Sequence, residues 1–92
     1  MALQQRGEAP DTRMAALLSA GAPPTSAEAQ DLVGDHYASI CQFWTPDRHS
    51  YPGLGELYTD DPEFRARYDA VAPGLAEYWR DAITDYAAAR LD

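Results

Sequence analysis

Cations are scarce in this chain. Seven Lys and Arg residues face fifteen Asp and Glu, which leaves a net charge of −8 at neutral pH. Nucleic-acid binding is driven by basic side chains that displace counterions from phosphates, so this balance excludes direct DNA or RNA contact and adhesion to an anionic membrane. Cysteine is almost absent: Cys41 stands alone, so no internal disulfide can form, as expected of a cytoplasmic protein. No apolar run approaches the roughly 18 to 20 residues needed to cross a bilayer. The stretch Met14 to Ala20 has the small and apolar character of a signal core, but Glu8 and Asp11 lie among the arginines before it, and the positive flank of a signal is missing. His36, Cys41 and His49 lack the spacing of metal ligands, and no glycine-rich phosphate loop or nucleophile elbow occurs, so neither a metal nor another cofactor is expected.

Aromatic side chains, by contrast, are abundant: Tyr37, Phe43, Trp44, Tyr51, Tyr58, Phe64, Tyr68, Tyr78, Trp79 and Tyr86. Such rings bring large contact area with few torsions to freeze, which suits a compact core and a binding pocket alike. With 92 residues there is room for one core only, and any ligand site must be carved out of it.

The punctuation predicts an all-α protein of about five helices. Residues 1–10 show no periodicity and read as a flexible lead-in, with one domain over 11–92. A first helix starts at Asp11 or Thr12 and stops at Gly21. Thr25 and Glu28 have the spacing of a capping box, and a second helix runs from Ala27 to Trp44 with Leu32, Val33, His36, Tyr37, Ile40, Phe43 and Trp44 on its inner face. Tyr51-Pro52-Gly53 reads as a turn. A short third helix over Leu54 to Tyr58 turns Leu54, Leu57 and Tyr58 inward. Asp61-Pro62 opens a fourth helix with Phe64, Tyr68 and Val71 on one stripe and a Glu63–Arg67 pair outside. After the Pro73-Gly74 break, a fifth helix spans Leu75 to about Leu91.

Several residues are candidates for ligand contact. Trp44 and Trp79, at a helix end and beside a break, offer flat stacking area, while plain core packing explains either ring equally well. Tyr37, Tyr51, Tyr58 and Tyr78 are weighed in the same way, with Tyr51 favoured by its place at a turn. His36 is able to hydrogen-bond a ligand amide or to sit satisfied in the core, and Ile40 and Leu54 complete the apolar set. Cys41 reads as a small buried hydrophobe with no cationic neighbour to activate it.

The segment Gly53-Leu54-Gly55-Glu56-Leu57-Tyr58-Thr59-Asp60-Asp61-Pro62-Glu63-Phe64 is followed by Tyr68-Asp69, by Ala72-Pro73-Gly74-Leu75-Ala76-Glu77-Tyr78, and by Arg80-Asp81-Ala82-Ile83. In this, and in the helix before it with His36 and Ile40, the chain resembles the TipA-type antibiotic-recognition domain, the effector module of thiostrepton-induced regulators of the MerR family. The resemblance implies a globin-like helical bundle that holds a thiopeptide or another bulky hydrophobic antibiotic in a cleft. It starts near Asp11 and covers roughly the C-terminal two-thirds of the family's domain. That extent implies the absence of the N-terminal helices that fold over the ligand, of the winged-helix DNA-binding region and of its coiled-coil linker. The family's capture of an antibiotic through a cysteine just before Leu-Gly-Glu meets Gly53 here, which implies noncovalent binding.

Three functions are therefore open. The leading one is a nonenzymatic binder that senses or sequesters a hydrophobic natural product, with a role in resistance or regulation. The second is an interaction module whose apolar groove pairs with a second copy or another regulator subunit. The third is a small biosynthetic enzyme with His36 as acid or base.

Overall fold

The computed structural model describes residues 10–91, and among these there is no strand. Among the described residues five helices follow one another: α1 (Pro10–Ser19), α2 (Ala27–Ile40), α3 (Ser50–Asp60), α4 (Pro62–Val71) and α5 (Leu75–Arg90). The all-α architecture expected from the sequence is thus observed. The flexible lead-in expected over residues 1–10 falls outside the described residues, except for Pro10, which opens α1.

Each boundary has a local cause. After α1 the chain turns left-handed at Gly21, with φ of 81°. The Ala22 and Gly21 amides donate back to the carbonyls of Leu17 and Leu18 at 3.0 and 3.1 Å, a paired closure that satisfies the last carbonyls of the helix. At the start of α2 the cap is Ser26, whose hydroxyl accepts from the Ala29 amide at 3.2 Å, and not the expected pair Thr25 and Glu28. Asp61 accepts from the amides of Glu63 and Phe64, and Pro62 occupies the first turn of α4, as read from the sequence. Gly74, with φ of 87°, has no side chain to cap α5. Asp69 of α4 does this at a distance by accepting from the Ala76 amide at 3.2 Å.

Two expected boundaries are corrected. Helix α2 stops at Ile40, not Trp44: the chain tightens there, and the Phe43 and Trp44 amides both return to the Ile40 carbonyl. Helix α3 starts at Ser50, not Leu54, and absorbs the supposed Tyr51-Pro52-Gly53 turn. Asp47 makes this possible: its Oδ1 accepts from the amides of His49 and Ser50 at 2.9 and 2.8 Å and from the Ser50 hydroxyl at 3.0 Å. Pro52 then falls in the first turn, where its missing N–H needs no partner.

Helix α5 is the central element and touches each of the other four. It contributes Leu75, Trp79, Ala82, Ile83 and Ala87 to a core shared with Met14 of α1, Ala29, Leu32 and Val33 of α2, and Tyr51 and Tyr58 of α3. The closest approach is at Gly55, where an added Cβ would lie 3.1 Å from the Arg80 Cα, so the second residue of Leu-Gly-Glu is a packing glycine. Leu57 and Val71, expected to face inward, are exposed. In place of the expected Glu63–Arg67 pair, Arg65 links three elements: it contacts the Thr59 carbonyl at 3.1 Å, Glu77 at 3.0 Å and Asp69 at 3.6 Å. Arg67 lies instead over the Phe64 ring at 5.5 Å.

Candidate ligand-binding groove

Helices α2 and α3 each pack on α5, yet no Cα of one comes within 8 Å of a Cα of the other. Side chains alone bridge this gap. From α2, His36 places Nδ1 2.6 Å from the Tyr51 hydroxyl and Nε2 3.0 Å from the Tyr58 hydroxyl. Its ring also lies 5.2 Å from that of Trp79, between centroids. Tyr51 in turn packs edge-on against Tyr37 at 5.0 Å and Tyr86 at 6.1 Å, and Tyr58 packs on Tyr68 at 4.8 Å and Phe64 at 5.5 Å. The floor between α2 and α3 is therefore a continuous aromatic layer with a histidine at its centre.

Electrostatics fix the state of that histidine. Burial lowers the His36 pKa to about 4, so at neutral pH the ring is uncharged, with one nitrogen donating and the other accepting. Burial likewise raises the phenol pKa values of Tyr51 and Tyr58, which stay protonated and available as donors. Both ring nitrogens of His36 are thus engaged by neutral hydroxyls.

The structure sorts the nine candidate residues. His36, Ile40 and Leu54 are half-buried, with His36 reaching across from α2 to α3, and Trp44 is 49% exposed just beyond the end of α2. Tyr51, expected at a turn, is fully buried in the first turn of α3, because the early start of that helix swings it under His36. Tyr58 and Trp79 are also buried, and they form floor rather than rim. The Trp79 indole N–H is occupied, donating to Asp11 Oδ1 at 3.1 Å. Tyr78 does not join them: its hydroxyl donates to the Ala22 carbonyl at 2.9 Å and holds the connector between α1 and α2. Tyr37 is half-buried and donates to the Pro46 carbonyl at 2.8 Å, which fixes the loop after α2.

Sequence reading missed Phe43 as a surface feature. Placed on the inner stripe by periodicity, it is 82% exposed, because α2 ends before it. Pro46 gives no sign of this, since it bars only Thr45 from the helical region. Beside this region, Tyr37, Thr45, Pro46, Asp47, Arg90 and Leu91 line a cleft of about 260 Å³, below the usual size of a drug-sized pocket. Among the described residues no group of His, Cys, Asp and Glu is arranged to hold a metal ion, and no helix is long and apolar enough to cross a membrane.

Among the described residues this is an all-α fold built around a buried aromatic layer, and comparison with known proteins gives it a family. The model of the TipAS antibiotic-recognition domain matches residues 1–86, and the chain belongs to that family. The HTH-type transcriptional regulator SkgA of Caulobacter vibrioides is 38% identical over 91 residues, covering 95% of this chain and 35% of the regulator. The HTH-type transcriptional activator TipA of Streptomyces coelicolor is 37% identical over 82 residues, covering 88% of this chain and 32% of the activator. The chain thus spans about a third of the length of these relatives. Among solved structures, the antibiotic-binding domain of a TipA-class multidrug resistance transcriptional regulator superposes with a TM-score of 0.77 at 36% identity, over 92% of each chain. TipAS from Streptomyces lividans, solved in complex with the thiopeptide nosiheptide, gives a TM-score of 0.78 at 35% identity, over 95% of this chain and 62% of that one.

Proposed function

We propose that this domain binds a bulky, largely apolar natural product of the thiopeptide kind noncovalently, in the groove between α2 and α3. The observation that carries the reading is the separation of these two helices over an aromatic layer, with Ile40 and Leu54 half-buried and Phe43 and Trp44 exposed just after the end of α2. Exposed rings of this size gain roughly 1.5 to 3 kcal/mol each when a ligand covers them. Family membership and the nosiheptide complex of TipAS support the same class of ligand. Gly53 supplies no nucleophile, and the lone thiol, Cys41, is half-buried at the end of α2, so no thiol stands on α3 to attack the ligand. Catalysis is disfavoured because both nitrogens of His36 are already engaged. Binding of this kind fits a cytoplasmic sensor or sequestering protein in regulation or resistance.

Titration with nosiheptide, followed by tryptophan fluorescence and calorimetry, tests this: saturable one-to-one binding without a mass adduct is expected. A second reading is favoured by the exposure of Phe43 and Trp44, which suits a groove occupied by a second copy of the chain. In that case size-exclusion chromatography would show a dimer, and nosiheptide would fail to titrate against it.

A further inference from the structure

The floor of the groove has one feature that apolar packing does not require: a neutral imidazole held at both ends by tyrosine hydroxyls of the facing helix. Tyr51 and Tyr58 are seven residues apart, so they lie two turns apart on one face of α3. A ring bonded to both is pinned at two points along that helix. One contact would fix a distance; two also fix the relative orientation of the helices. No backbone contact between α2 and α3 duplicates this role, since their Cα atoms stay more than 8 Å apart. The tyrosines themselves are packed on both sides: Tyr51 is fully buried between Tyr37 and Tyr86, and Tyr58 lies against Tyr68 and Phe64. Behind the imidazole, Trp79 is held by its bond to Asp11.

We infer that His36 is a positioning residue, a crossbar that sets the width and angle of the groove between α2 and α3 by bridging Tyr51 and Tyr58, and that it does not itself hydrogen-bond the ligand. The inference rests on the groove as the binding site. It follows that selectivity comes from the span of the groove rather than from a polar contact at its base. A ligand amide that claimed a nitrogen of His36 would leave a tyrosine hydroxyl buried without its partner, a loss the ligand would have to offset.

The test separates groove width from binding. Spin labels on Ala38→Cys and Glu56→Cys, both exposed positions, in a Cys41→Ser background report the distance between α2 and α3 by double electron–electron resonance. The parent protein is expected to give one narrow distance distribution. Tyr58→Phe and His36→Leu, which keep the shape of the floor and delete one or both bonds, should broaden it, while His36→Gln, which both donates and accepts, should restore it in part. Nosiheptide Kd should rise about tenfold in His36→Leu and stay within about threefold in His36→Gln. If His36→Leu fails to fold, Tyr58→Phe and Tyr51→Phe carry the same test, with helical content checked by circular dichroism. Unchanged distance distributions in folded variants would overturn the crossbar, as would a large loss of affinity at unchanged width, which would make His36 a direct ligand contact. If the parent protein does not bind nosiheptide at all, the functional reading fails, while the distance measurements still decide the role of His36.

Discussion

The indole N–H of Trp79 donates to the carboxylate of Asp11 at 3.1 Å and ties the first turn of α1 to the second turn of α5, across 68 residues of sequence. Asp11 is half-buried, and the loss of water raises its pKa despite this bond. Asp11→Asn, which keeps an acceptor, should change stability little, whereas Asp11→Ala should lower it by about 1 to 2 kcal/mol, since the indole donor is then left buried without a partner. Urea unfolding of the two variants checks this; equal loss in both would mean that charge, and not the hydrogen bond, matters.

Acid should weaken the fold through His36. Its folded pKa is about 4, below the ordinary value of 6.5, so the folded state resists protonation more than the unfolded one. The stability linked to this ring is complete above pH 6.5 and is lost as pH falls from there towards 4, by up to about 3 kcal/mol. Asp11, raised rather than lowered, acts in the opposite sense near the acid end of that window and blunts the fall. Chemical denaturation between pH 7.5 and 4.5 should show the decline in the parent protein and a flatter profile in His36→Gln.

Two glycines two residues apart should respond in opposite directions. At Gly55 an alanine methyl meets the backbone of Arg80 at 3.1 Å, with no flexible side chain to yield, so Gly55→Ala should cost about 1 to 3 kcal/mol. At Gly53 nothing lies within 4 Å of an added Cβ, and the residue is helical, so Gly53→Ala should stabilise by about 0.5 to 1 kcal/mol. Thermal melts of both variants decide it.

The open space at Gly53 also permits a gain of function. Gly53→Cys adds a thiol on α3, beside Leu54, without a clash. Incubated with a dehydroalanine-bearing thiopeptide, this variant should form an adduct visible by mass spectrometry, whereas the parent, whose Cys41 is half-buried on another helix end, should not. Adduct formation by the parent at Cys41 would contradict noncovalent binding.

What the sequence disclosed follows from the range of the interactions involved. The left-handed stop at Gly21, the Asp61-Pro62 start and the break before Leu75 depend on neighbours within a few residues, and they stand where they were expected. The extension of α3 to Ser50 also has a local cause, in Asp47, but an aspartate three residues ahead of a helix is a weaker signal than a proline inside one. Which aromatic faces inward was not legible. Periodicity sets Phe43 on the inner stripe and Pro52 suggests a turn at Tyr51, yet Tyr51 is fully buried under His36 and Phe43 is largely exposed, because α2 ends before Phe43 and α3 starts ahead of Tyr51. The partnership of His36 with two tyrosines on another helix belongs to the same class of information.

The burial pattern separates rim from floor, and this yields the sharpest test of the groove. Tyr51 has no exposed surface, and removing its ring would open a cavity among Tyr37, His36 and Tyr86. Tyr51→Ala should therefore destabilise the fold by about 3 to 5 kcal/mol. Phe43 and Trp44 lie outside the core, at 82% and 49% exposure, and their replacement costs the free protein little. Phe43→Ala and Trp44→Ala should leave helical content and melting temperature nearly unchanged, and each should weaken nosiheptide binding by about 1 to 3 kcal/mol, the range for an aromatic anchor in a binding site. Calorimetric titration of the folded variants gives the answer. Full affinity in both alanine variants would move the binding site away from the end of α2, and a monomer-to-dimer shift lost in the same variants would assign these rings to self-association.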